Sequence, residues 1–303
     1  MADGKTFIKK LQNPLKSAPY LMIAPAILVQ FTLVLYPLVI ALVSSFQSWY
    51  MPHPEQRHFV GLQNYIKLIT SPEVANAAWV TLKFMVLSVI GTTLLGLVIG
   101  LLLASEFRGV SVFRSLLIIP MMVTPAVSAL LWIQMWHGSY GVINAILGPL
   151  GLAVKDWKSF PTTALWTIVV PDVWQWTPFV MLVVLGGMQS LPVDVFEAAR
   201  VDGAYGWKMF RRITFPLLLP FLSTAVLFKL VYTLRVYALA WLITRGGPGT
   251  STEIMSIKIT ITAFRELQIG KASALSFLVL FALIIIGTLL YKFFNKIREL
   301  GYS

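Results

Sequence analysis

Long apolar runs separated by short polar breaks dominate the chain. Runs near residues 20–46, 79–104, 115–136, 163–188, 217–241 and 272–294 each reach the length, about 20 residues, that a helix needs to cross a bilayer. They are longer than barrel strands and do not alternate. Backbone groups in lipid must bond within their own segment, so the pattern predicts six membrane helices. The expected organisation is a basic tail over 1–19, one transmembrane domain over 20–294 and a short tail over 295–303. Residues 47–78 read as a loop rich in Pro, His and Gln, and Thr244 to Glu253 as a glycine- and proline-rich turn opening a re-entrant-looking loop. There is no short-period repeat and no low-complexity segment.

Composition agrees with this pattern. At 57% hydrophobic and 12% charged residues, with a mean hydropathy of +0.79, 303 residues carry too little polar surface to cover a soluble globule. With both termini cytoplasmic, the inner segments hold Lys5, Lys9, Lys10, Lys16, Arg108, Arg114, Arg200, Lys208, Arg211, Arg212, Lys292, Lys296 and Arg298. Arg57, Lys67, Lys155, Lys158, Arg245, Lys258, Arg265 and Lys271 are spread over longer outer loops. That bias predicts both ends inside. The net charge of +12 reads as topology and contact with anionic lipid, and no basic stripe interleaved with aromatics points to nucleic acid. The first run is too long for a signal peptide and lacks its cleavage site, so it is retained as the first helix. Zero cysteines exclude disulfides and thiol chemistry. His53, His58 and His137 lack paired carboxylates, and no metal site is expected.

The break over 190–216 differs from the others in being charged and glycine-broken. It reads as two short helices: Pro192 opens the first, a left-handed Gly203 ends it, and Pro216 stops the second. Glu197, Ala198, Ala199, Asp202, Gly203, Ala204, Phe210, Ile213, Pro216, Leu217 and Pro220 resemble the EAA loop of bacterial ABC importer permeases, in the carbohydrate (maltose-type) branch. The resemblance continues, in order, through Phe113, Arg114, Pro120, Pro125, Trp132, Gly141, Asn144 and Gly148 to Leu152. It goes on through Trp174 to Phe179, Gly246 to Gly249, Thr252, Glu253, Ala263, Phe264 and Gly270 to Ala274. The Gly-Gly-Pro-Gly turn is similar to that of the first, F-type, of the two sugar permeases. Departures stand at Ala238, where family members often carry an acidic residue, at Arg245, often Gly, and at Lys271, often Tyr.

The resemblance implies an all-α membrane protein with six transmembrane helices, an ABC type I importer permease architecture and both termini cytoplasmic, multi-pass in the inner or cytoplasmic membrane. It implies a non-enzymatic subunit with no cofactor of its own. A phosphate-binding loop needs a lysine after its glycines, and Gly246 to Thr252 has none. ATP and Mg belong to a pair of ATP-binding-cassette ATPase subunits. A second, related permease chain, in a heterodimer with a homodimer as the alternative, and an extracytoplasmic solute-binding protein complete the expected partners, with membrane lipid around them. By the same resemblance, Glu197, Ala198, Ala199, Asp202, Gly203, Ala204, Trp207 and Phe210 couple to the ATPase. The bland alternative is an amphipathic surface loop in which Asp202 caps the second helix and Glu197 pairs with Arg200.

Polar residues inside membrane runs cost about 2.5 to 3.5 kcal/mol at a helix centre and usually face a partner or cavity. Asp172, Gln175, Trp176 and Phe179 share one helical face, as do Lys229, Tyr232 and Arg235, and as do Thr124, Ser128 and Trp132. Asp172 lies at a depth to pair with Lys229 or Arg235. A sugar needs hydrogen-bonding groups beside aromatic plates, so Ser128, Trp132, Asp172, Gln175, Trp176, Tyr232, Arg235 and Tyr237 are the expected substrate path. The alternative for the charged residues is a structural ion pair. Prolines 120, 125, 171 and 178 are expected kinks, either hinges or static. The expected function is inward passage of a sugar or polyol. Competing readings are a glycerol-phosphate-type importer, with Arg235 and Lys229 as anion ligands, and an ion-coupled secondary transporter using Asp172.

Overall fold

The computed structural model describes residues 14–105, 107–152 and 156–301. Lys5, Lys9 and Lys10 of the expected N-terminal tail, Lys155 and the last two residues of the C-terminal tail lie outside the described residues. In order come α1 (Pro14–Gln30), a π-helical turn (Phe31–Leu35), α2 (Tyr36–Ser45), β1 (Gln47–Ser48), β2 (His58–Phe59), α3 (Gln63–Ile69), α4 (Pro72–Ala104), α5 (Val110–Met122), α6 (Pro125–Met135) and α7 (Val142–Leu147). There follow α8 (Pro161–Ala164), α9 (Trp166–Ser190), α10 (Val193–Val201), α11 (Gly206–Met209), a π-helical turn (Phe210–Thr214), α12 (Phe215–Thr233), α13 (Ala238–Thr244), α14 (Met255–Phe264) and α15 (Ile269–Gly301). The chain forms two compact units, residues 1–68 with 262–277 and residues 69–261 with 278–303.

In the first unit, the polar stretch after α2 is folded. β1 and β2 pair antiparallel, Gln47 opposite Phe59. Asn64 Nδ2 donates to the carbonyls of Ser45 and Gln47, both at 2.9 Å, and Tyr65 donates to Ser45 Oγ at 2.7 Å. Gly270 lies so close to this strand that a Cβ there would sit 2.1 Å from the Gln47 carbonyl oxygen. The expected loop therefore shrinks, since α3 takes its middle and α4 begins at Pro72 behind Ser71.

The second unit is built on α4 against α9, whose contact is the most extensive between any two elements. Gly96 and Gly100 make it possible. A Cβ on Gly96 would meet Val180 Cβ at 2.5 Å, and one on Gly100 would meet Val184 Cγ1 at 2.7 Å. Small residues at this spacing let two membrane helices approach closely, where packing rather than water release drives association. Arg114 Nη2 closes the end of α4, donating to the Leu103 carbonyl at 2.6 Å.

Two expected helices are not single spans. The third run is α5 and α6, bent by 100° at Val123 and Thr124. Pro125 supplies no N–H there, and the Thr124 side chain accepts from Val127 N, so Val123 O is left without a helical partner. The fifth run stops at Thr233, and α13 resumes after a break at Leu234 to Tyr237. Conversely α9 runs unbroken through Pro171 and Pro178, and α15 continues to Gly301, through most of the expected tail. Among the described residues, five helical stretches are long and apolar enough to cross a membrane, or six if the bent pair α5 and α6 counts as one span.

Candidate functional site

The loop over 190–216 forms as two helices joined by a Schellman turn. Pro192 is the N-cap of α10, and Gly203 has φ +71°. Its N–H donates to Arg200 O at 3.0 Å, and Ala204 N donates to Ala199 O at 2.8 Å, so two orphan carbonyls of the helix end are satisfied. Only a residue without Cβ takes that left-handed conformation at no steric cost. Ala199 and Ala204, the two residues the turn brings together, are both buried.

This placement redistributes the roles. Ala199 and Ala204 hold the loop from inside, while Glu197, Ala198, Asp202 and Trp207 are exposed. Val201 and Tyr205, which sequence reasoning passed over, are also outward, at 88% and 65% exposure against 72% for Trp207. Phe210 is half-buried and packs on Trp207 at 5.1 Å and Phe215 at 5.7 Å. Asp202 caps the first helix through its backbone and not the second, and Glu197 forms no ion pair with Arg200 among the described residues. Pro216 does not stop the second helix. The π-helical turn at Phe210–Thr214 shifts the hydrogen-bond ladder, Phe215 N donates to Phe210 O, and the helix runs from Gly206 to Thr233. The loop is thus continuous with a membrane helix.

Deeper in the same unit, three membrane helices meet at one buried charge pair. Lys229 Nζ on α12 lies 2.6 Å from Asp172 Oδ2 on α9, and Ser88 Oγ on α4 donates to the same carboxylate. Asp172 is therefore the partner of Lys229 and not of Arg235. Ser88 was missed, although a hydroxyl midway along an apolar run was its visible signal. Lys229 Nζ also stands 5.4 Å from each of the Trp176 and Tyr232 ring centroids.

Trp176 and Tyr232 are half-buried and their rings lie 3.8 Å apart. Phe179 continues the row, 5.9 Å from Trp176 and 6.3 Å from Phe228, which is 64% exposed. Arg235 is exposed just beyond Tyr232, and Tyr237 stacks on Trp241 at 5.8 Å. The other expected path residues lie elsewhere. Gln175 is buried and donates to the orphan Val123 carbonyl at 2.5 Å, which makes it the brace of the broken third span. Trp132 packs between Trp136 and Trp174, and Ser128 is fully buried, its hydroxyl without a hydrogen-bond partner. An aromatic row with one cation at its edge can stack against ring faces and meet polar or anionic substituents.

Residues 93–299, which hold the loop over 190–216 and most of this centre, match the family described as binding-protein-dependent transport system inner membrane component. The chain belongs to that family, and is therefore a membrane permease component rather than a soluble catalyst. It is 35% identical to the trehalose/maltose transport system permease protein MalF of Thermococcus litoralis, over 92% of this chain and 94% of that one. It is 31% identical to the sulfoquinovosyl glycerol transport system permease protein SmoG of Agrobacterium fabrum, over 89% and 88%. A crystal structure of a bacterial ABC transporter involved in import of the acidic polysaccharide alginate contains a chain of the same fold. It superposes with a TM-score of 0.80 at 20% identity, covering 96% of this chain and 99% of that one.

Proposed function

We propose that this chain is one of two permease subunits of an ATP-driven importer that passes a sugar or related polyol into the cell. The observation that carries the reading is the coupling loop: an exposed apolar edge of Val201, Tyr205 and Trp207, clamped by the Gly203 turn and continuous with the helix that bears Lys229 and Tyr232. Trp207 on that edge and Tyr232 in the aromatic row lie on the same helix, Gly206–Thr233, so a push on the one is passed along a helix to the other. ATP and Mg are held by a pair of ATPase subunits docked on the loop. A solute-binding protein delivers cargo on the opposite side, and the basic-residue bias puts both termini with the loop in the cytoplasm. The aromatic row faces a related second permease, in a heterodimer, across the path.

Arg235 favours a second cargo class within the same reading. It is exposed and in no ion pair among the described residues, whereas Lys229 is committed to Asp172. An anionic sugar would find its counter-charge there. A relative named for sulfoquinovosyl glycerol is in keeping with such a cargo. The test is solute-stimulated ATP hydrolysis by the purified complex with its binding protein, run across neutral and acidic sugars. Stimulation by neither class would contradict the proposal.

A further inference from the structure

A polar cavity of about 320 Å³ lies within the first compact unit. Trp49, Tyr50, Gln63, Lys67, Gln268 and Lys271 line it, and none of its lining residues is a carboxylate. The Arg57 guanidinium, over the Trp49 ring at 4.2 Å, adds a third cation beside the wall. The depth of the cavity follows from the chain. α2 ends at Ser45, just before Trp49 and Tyr50, and α15 begins at Ile269, between Gln268 and Lys271. The cavity therefore sits where two membrane helices reach water, at the level of lipid headgroups, and Trp and Tyr are the aromatic residues favoured at that level.

The short helix α3 shows what kind of molecule fits. Gln63 and Lys67 turn toward the cavity, while Leu62 and Ile66 are 61% and 60% exposed and Phe59, on β2, is 75% exposed. Cations and amide donors on one side and bare apolar side chains on the other suit a molecule with an anionic head and a hydrocarbon tail. We propose that this cavity binds the phosphate headgroup of an anionic phospholipid, with its acyl chains lying along Phe59, Leu62 and Ile66. The lipid then fastens the folded segment after α2 to the start of α15. An acidic protein surface would use the lysines but leaves the apolar flank without a role.

The test is native mass spectrometry of the assembled importer titrated with phosphatidylglycerol, phosphatidylcholine and soluble glycerol phosphate. The expected result is a preferred phosphatidylglycerol whose affinity falls about fivefold for each lysine removed in Lys67→Gln and Lys271→Gln. Leu62→Gln with Ile66→Gln weakens the same lipid and leaves subunit assembly intact. Four results overturn the proposal: unchanged phosphatidylglycerol binding in the lysine variants, equal affinity for phosphatidylcholine, glycerol phosphate binding as tightly as the lipid, or lysine variants that keep the lipid but lose the solute-binding protein.

Discussion

Lys229 Nζ and Asp172 Oδ2 are 2.6 Å apart, and neither side chain is more than 1% exposed. Removing one member of such a pair strands a charge in a low-dielectric interior, which costs about 3–5 kcal/mol. Asp172→Asn and Lys229→Met, each alone, are expected to reduce folded permease in the membrane and uptake together. Replacing both by apolar residues, Asp172→Leu with Lys229→Met, removes both charges and is expected to restore most of the folded protein. Uptake in that double variant measures whether the pair also serves transport; a proton- or sodium-coupled mechanism through Asp172 requires that it stay dead.

Gly203 separates two substitutions that a generic loop would treat alike. Alanine at φ +71° meets no neighbouring atom and bears only the left-handed strain, about 1–2 kcal/mol, so partial uptake is expected. Proline cannot take that φ and removes the N–H that Arg200 O accepts, so Gly203→Pro is expected to abolish ATP-driven uptake with the protein still in the membrane. Transport assays beside membrane-fraction immunoblots distinguish the two.

Gly96 predicts a steric effect with a built-in rescue. A methyl group there would press on Val180 at 2.5 Å, and overpacking of this kind costs about 1–3 kcal/mol. Gly96→Ala is expected to lower the thermal midpoint of the detergent-purified complex, and Val180→Ala to recover part of the loss.

Arg245 sits at φ +54° as the C-cap of α13, a backbone conformation that glycine takes without strain. Arg245→Gly is expected to stabilise the protein by about 1 kcal/mol, read as a higher midpoint in the same melt.

The aromatic row carries the cargo prediction. Trp176→Ala and Tyr232→Ala are expected to raise KM or lower the maximal rate of uptake severalfold, since ring stacking contributes about 0.5–1.5 kcal/mol per pair. Uptake kinetics unchanged in both variants remove the row from the path.

Local chemistry was legible in the sequence where one residue type decides the backbone. Gly203 and Pro192 announced the helix at 193–201 and the turn that ends it because few other residues serve at those positions, and apolar length announced the spans. What depended on three-dimensional satisfaction was not legible. Pro125 marked a kink in the third run, but its size, 100° at Val123 and Thr124, depends on Gln175, on another helix, which supplies a donor to the Val123 carbonyl. The survival of the helix through Pro216 depends on a π-helical turn that hydrophobic periodicity does not encode. Ala199 and Ala204 are folded by the turn against the chain itself, a burial that residue identity in a surface loop does not show.

The central claim is that the edge formed by Val201, Tyr205 and Trp207 receives the ATPase. The most direct measurement is solute-stimulated ATP hydrolysis, with co-purification of the ATPase, in a complex carrying Val201→Glu and Trp207→Glu. Both side chains are largely exposed, at 88% and 72%, so the substitutions remove little packing. The account predicts a membrane-inserted permease that no longer retains the ATPase or stimulates its hydrolysis. Full retention and full stimulation in that variant would contradict it.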